Sequence, residues 1–135
     1  MKIDGGCHCG QVQYEAEVNT DKVVICHCSD CQRMSGSAYR VVVPAKEEDV
    51  IFSAQKPKDY IKQSESGNPR VQSFCPECGT HIYATSVDNV GSRVFNLRIG
   101  SVNQKEQLKP SGQIWCRSAR PWAFNLEDVP RTEMQ

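Results

Sequence analysis

Eight cysteines occur in the 135-residue chain, and all but Cys116 have close company. Cys7 and Cys9 form C-H-C, Cys26, Cys28 and Cys31 form C-H-C-S-D-C, and Cys75 and Cys78 form C-P-E-C. Structural zinc is tetrahedral and takes thiolates at about 2.3 Å, so its ligands arrive as close pairs on tight turns. The C-x2-C followed by Gly79 has the form of a zinc knuckle. A C-x-C can reach one ion only where the chain leaves plain strand geometry. Cys26, Cys28 and Cys31 combine both spacings and could present three sulfurs from one loop. If that triad serves one ion, Cys7, Cys9, Cys75 and Cys78 remain as a four-thiolate set. Four thiolates close a zinc site and staple distant segments. Three leave a position for water or an incoming thiolate, as metal catalysis requires.

Other readings compete with this one. Disulfides need an oxidising compartment and are awkward within C-x-C. The second zinc would be purely structural if Cys116 or a histidine completed it. An iron-sulfur cluster suits the softness of the triad but lacks the usual spacing. His8 and His27, each between two sulfurs, read as hydrogen-bonding groups behind the ligands. His81 reads as a satisfied histidine on a strand, and Cys116, beside Trp115 in an apolar run, as a small buried hydrophobe.

The elements that must position these groups are strands. Residues 11–18 alternate Val12, Tyr14, Ala16 and Val18 against Gln11, Gln13, Glu15 and Glu17, the pattern of a half-buried strand. Further β-type runs lie at 23–26, 39–43 (ending at Pro44), 50–53, 59–63, 70–74, 81–85, 93–99 and 113–116. Short helical turns are expected at 29–34, 44–49 and 101–108, and a loose acidic tail at 127–135. The pattern predicts an all-β fold of packed antiparallel sheets in one domain over 1–135.

Lysine plus arginine is 16 and aspartate plus glutamate is 16, so no basic footprint for nucleic acid is present. The start M-K-I-D-G-G reads as neither signal peptide nor anchor, and no window holds the ~20 apolar residues of a membrane span. A cytoplasmic protein with reduced thiols is expected.

The segments G-G-C-H-C-G-Q-V-Q-Y-E (5–15), C-H-C-S-D-C-Q-R-M-S-G-S (26–37), F-C-P-E-C-G-T-H-I-Y (74–83) and I-W-C-R-S-A-R-P-W (114–122) resemble, in order and spacing, the glutathione-dependent formaldehyde-activating enzyme family, which includes the centromere protein V group. The resemblance implies a β-tent fold and two Zn2+ per chain. It places a structural zinc on Cys7, Cys9, Cys75 and Cys78, and a catalytic zinc on Cys26, Cys28 and Cys31. It further implies a carbon-sulfur lyase that joins a small thiol such as glutathione to a small electrophile such as formaldehyde. Gln32, Arg33, Ser35 and Ser37, just behind the triad, are candidate contacts for the thiol substrate, and Trp115 and Trp122 are candidates for either pocket wall or core. The chain is shorter than the formaldehyde-processing members, so a non-catalytic zinc-binding module for a protein or small thiol ligand is the alternative.

Overall fold

The computed structural model describes residues 1–89 and 91–135. Nine strands share one connected sheet. They are β1 (Lys2–Gly6), β2 (Gln13–Val18), β3 (Val24–Cys26), β4 (Arg40–Phe52), β5 (Lys58–Gln63), β6 (Pro69–Phe74), β7 (His81–Ser86), β8 (Val94–Arg98) and β9 (Gly112–Ile114). Among the described residues, one α-helix, α1 (Ser29–Ser35), and several short 3-10 turns accompany the strands. The fold is all-β, as expected, and every strand pair is antiparallel except β3 with β9, which run parallel.

The strand β4 organises the sheet. Its first residues pair with β3 through Val24↔Val42 and Cys26↔Arg40, and its last pair with β2 through Ala16↔Val50 and Tyr14↔Phe52. On its other edge it pairs continuously with β8 from Val42↔Arg98 to Lys46↔Val94. Pro44 sits where the partner changes from β3 to β2. It has no N–H to donate, so a break in the ladder there wastes no hydrogen bond. The sheet thus forks into one arm of β3 and β9 and another of β2 and β1.

Alternation assigns the two faces. On β2 the buried positions are Tyr14, Ala16 and Val18, matching the period-2 pattern in the sequence. With Val43, Ala45, Phe95, Leu97 and Tyr83 they form the apolar core, and the Tyr83 and Phe95 rings stack 4.0 Å apart. The opposite face of β4, β8 and β6 carries Arg40, Asn96, Arg98, Arg70 and Gln72.

Several expectations change. The segment 44–49 is strand, not helical turn, and it joins the run at 50–53 into the single 13-residue β4. Lys46 and Glu48 are exposed, Glu47 and Asp49 are half-buried, and Arg93, just before β8, holds Glu47. The N-terminal strand β1 was not expected. At the other end β9 stops at Ile114, because Trp115 takes a left-handed conformation with φ 57°. Cys116 therefore lies exposed in a 3-10 turn instead of buried in a strand. The turn at 29–34 is α1, and 101–108 breaks into 3-10 turns at Ile99–Ser101 and Lys105–Gln107.

Candidate metal centres and the cavity between the strands

Two groups of cysteine sulfurs converge, and in each the sulfurs lie within 4.8 Å of one another. The first comprises Cys7, Cys9, Cys75 and Cys78, and the second Cys26, Cys28 and Cys31. All are free thiols.

The first group joins the loop after β1 to the loop between β6 and β7. Cys7 Sγ and Cys9 Sγ are 3.5 Å apart, and Cys9 Sγ and Cys75 Sγ 3.7 Å. Sulfurs at about 2.3 Å from one ion at tetrahedral angles stand about 3.8 Å apart, so this set fits a single zinc. Each loop turns back through a glycine with positive φ, Gly10 at 81° and Gly79 at 74°. The Gly10 amide donates to the Cys7 carbonyl (3.1 Å) and the Gly79 amide to the Cys75 carbonyl (2.9 Å). The Val12 amide donates to Cys7 Sγ at 3.2 Å, a bond that favours thiolate. The Thr80 hydroxyl beside Cys78 Sγ, at 3.2 Å, helps hold that thiol down at about 5.

The second group is built by the end of β3 and the start of α1. Cys28 is the N-cap of α1, its sulfur accepting the Cys31 amide at 3.2 Å. This cap folds the C-x-C-x2-C into a half-turn that brings three sulfurs together. Hydrogen bonds from the Cys26 and Cys31 thiols hold Cys28 far below the usual thiol range, and the nearby Lys62 ammonium adds to the effect. The same hydrogen bond with Cys28 pushes the buried Cys26 thiol up. The three sulfurs thus share negative charge, a donor set that suits a soft divalent cation.

The triad opens into a cavity of about 380 Å³, whose lining includes Lys62, Arg70, Gln72, Asn96, Arg98 and Trp115. Gln32, Arg33, Ser35 and Ser37 are not part of that lining. The Gln32 amide donates instead to the His27 carbonyl (2.7 Å) and the Ser118 carbonyl (2.9 Å), tying α1 to the C-terminal segment. The Ser35 hydroxyl donates to the Cys31 carbonyl at 2.6 Å. Trp115 lines the cavity, whereas Trp122 is exposed elsewhere, so neither belongs to the core.

The histidines stay outside both sulfur groups. His27 is buried, with Nε2 2.7 Å from Gln113 Oε1 and its ring against Tyr39 and Phe124. The His8 amide donates to Thr80 Oγ1 at 3.1 Å, linking the two loops of the first group. His81 is not the satisfied histidine expected, because its Nδ1 is buried without a partner. Burial, and then the Arg40 and Arg98 charges, lower it to about 4.

Sequence reasoning missed the basic floor of the cavity. Arg70 and Gln72 alternate with Val71 and Ser73, and Asn96 and Arg98 with Phe95 and Leu97. That pattern is legible, but it reads as an ordinary solvated face. Only the folded sheet shows that Gln72 and Arg98 are buried there. Burial pulls the Arg98 guanidinium down to about 9, which leaves it cationic at neutral pH.

The sequence matches, over residues 2–118, the family described as glutathione-dependent formaldehyde-activating enzyme. The chain belongs to this family. Its fold is also similar to a crystal structure of a Rhodobacter sphaeroides protein solved by structural genomics, with a TM-score of 0.57 and 21% identity, covering 82% of this chain and 98% of that one. The family match spans every cysteine of both sulfur groups. No helix among the described residues is long and apolar enough to cross a membrane.

Proposed function

We propose that this family member is a zinc-dependent enzyme of the carbon-sulfur lyase type, adding glutathione or another small thiol to formaldehyde or a related electrophile. Cys7, Cys9, Cys75 and Cys78 hold a structural zinc, and Cys26, Cys28 and Cys31 hold a catalytic one. The observation that carries the reading is that a three-sulfur group, one short of a closed tetrahedron, opens into a cavity large enough for a small molecule. Zinc held by Cys26, Cys28 and Cys31 would supply a Lewis acid that lowers the pKa of a substrate thiol towards neutrality.

The chain itself holds and shields the reactants. The cap on α1 fixes the three sulfurs relative to one another before substrate arrives, so little reorganisation is needed. Val24, Val42, Ile114 and Trp115 supply the apolar part of the cavity lining, which limits water around the reacting carbonyl. In the addition, the thiolate sulfur forms a bond to the carbonyl carbon and the carbonyl π pair moves to oxygen. That oxygen then takes up the proton the thiol gave, so the sum is thiol plus aldehyde giving hydroxymethyl thioether. The amide N–H groups of Gln72 and Asn96 and the Lys62 ammonium are the donors in the lining suited to the developing alkoxide. Lys62 Nζ is anchored to Asp30 Oδ2 at 2.6 Å, which fixes it beside the first turn of α1.

Isotope-exchange NMR with labelled formaldehyde and glutathione tests the reading. The zinc-loaded protein is expected to accelerate formation of the hydroxymethyl adduct in proportion to its concentration, and Cys28→Ser to lose that acceleration. Equal rates with and without protein, across several thiols and aldehydes, would leave the non-catalytic binding module as the better account.

A further inference from the structure

Trp115 stands in a conformation that its side chain makes costly. At φ 57° and ψ 36° it is the only non-glycine residue with positive φ among the described residues. Glycine takes this region freely, whereas a Cβ crowds the backbone there. The chain reverses at this point, since β9 ends at Ile114 and the Ser118 amide donates back to the Trp115 carbonyl at 3.1 Å. A glycine would serve that reversal at lower cost. The large side chain is not kept for the core either, because Trp115 is 37% exposed. Strain held at the edge of a cavity points to a task for the side chain.

The surroundings of Trp115 give the task. Ile114 pairs with Cys26 across β9 and β3, so Trp115 begins one residue past the position beside the first sulfur of the triad. It both lines the cavity and meets solvent, which puts it on the rim. The strands β9 and β5 end the path β9-β3-β4-β8-β7-β6-β5. The turn after β5, where Glu65 lines the cavity, therefore belongs to the far edge of the sheet. Arg117 joins these two edges. Its guanidinium lies over the Trp115 ring, 5.0 Å from the centroid, and its Nη2 donates to Glu65 Oε2 at 3.0 Å. Indole, guanidinium and carboxylate thus link one rim of the cavity to the other. Both charged groups are more than half exposed, so the bridge steadies the indole and releases it at little cost.

We propose that Trp115, held at the mouth of the cavity by Arg117 and Glu65, is a specificity-determining residue that sets the largest ligand able to reach a metal on Cys26, Cys28 and Cys31. This rests on the open three-sulfur site proposed above and not on its thiol chemistry.

The test uses the full chain with cobalt in its metal sites, titrated with neutral ligands and followed by visible absorption. 1-Methylimidazole and 1-benzylimidazole offer the same donor nitrogen and differ by one phenyl ring, and 2-mercaptoethanol reports on thiol binding. The native chain is expected to bind 1-methylimidazole about tenfold or more tightly than 1-benzylimidazole. Trp115→Gly, which removes the indole and the strain together, should bring the two within about twofold. Arg117→Gln, which frees the indole, should narrow the ratio by about threefold. Arg117 is exposed, so this variant decides if Trp115→Gly does not fold. The same ratio in the native chain and both variants overturns the size limit and leaves the open site standing. Tighter binding of 1-benzylimidazole, lost in Trp115→Gly, overturns it too, because Trp115 would then be a platform for ligands and not a barrier. Selection by size among the imidazoles, with no response to 2-mercaptoethanol, upholds the size limit and overturns the thiol reading. No response to any of the three, in the native chain or the variants, overturns both.

Discussion

At the scale of single residues, the two sulfur groups differ in what makes them possible. The first depends on reversals at Gly10 and Gly79, where φ lies in the left-handed region and a side chain would be strained by about 1–2 kcal/mol. A Cβ on Gly79 would meet nothing within 4 Å, so Gly79→Ala strains only the backbone. It should lower stability by about 1 kcal/mol and weaken retention of the first metal, measured by urea unfolding with and without chelator. An unchanged unfolding midpoint would mean that the knuckle does not depend on that conformation. The second group depends on the Cys28 cap. Serine at that position still accepts the Cys31 amide, so Cys28→Ser removes a sulfur while keeping the local fold. The knuckle and the C-x-C pairs were legible in the sequence because metal ligation imposes spacing. Arg98 was not, because nothing about an arginine on an alternating strand says that its face will be enclosed.

At the scale of elements, β6 and β8 carry Arg70, Gln72, Asn96 and Arg98 of the cavity floor on one face, and β8 carries Phe95 and Leu97 of the core on the other. Strand character was plain where apolar and polar residues alternate, as in β2. It was obscured in β4, where Pro44 and the charges from Lys46 to Asp49 imitate a turn. Pro44 to Lys46 are held as strand by pairing with β8, and Val50 to Phe52 by pairing with β2, a tertiary effect that no local pattern reports. The end of β9 was likewise misread, since only the conformation at Trp115 turns Cys116 to solvent. His81, the first residue of β7, has a consequence for pH. Its folded pKa is lowered to about 4 from an ordinary 6.5, chiefly by burial. Below the unfolded pKa the unfolded state binds more protons, so stability is fully present above about pH 6.5 and declines as pH falls towards about 4. Urea midpoints at pH 7 and pH 5 should therefore drop further in the wild type than in His81→Gln. Acid loss of metal is common to both proteins and cancels in the comparison. Equal drops would show that His81 takes up its proton as easily folded as unfolded.

At the scale of the whole molecule, the two groups have separate structural tasks. The first ties the loop after β1 to the loop before β7, across residues 66 or more apart in sequence, so it closes the fold. The second lies within one short segment and closes nothing, and its open side faces the cavity. The division into a closed four-sulfur group and an open three-sulfur group is the central claim, and metal content per folded chain tests it most directly. Elemental analysis should find two zinc ions in the wild type and one in Cys28→Ser, with the native fold kept. Cys78→Ser should lose the fold, because metal binding at such a site contributes on the order of 10 kcal/mol to folding. One zinc in the wild type, or Cys28→Ser and Cys78→Ser variants that both stay folded and lose metal alike, would contradict the division.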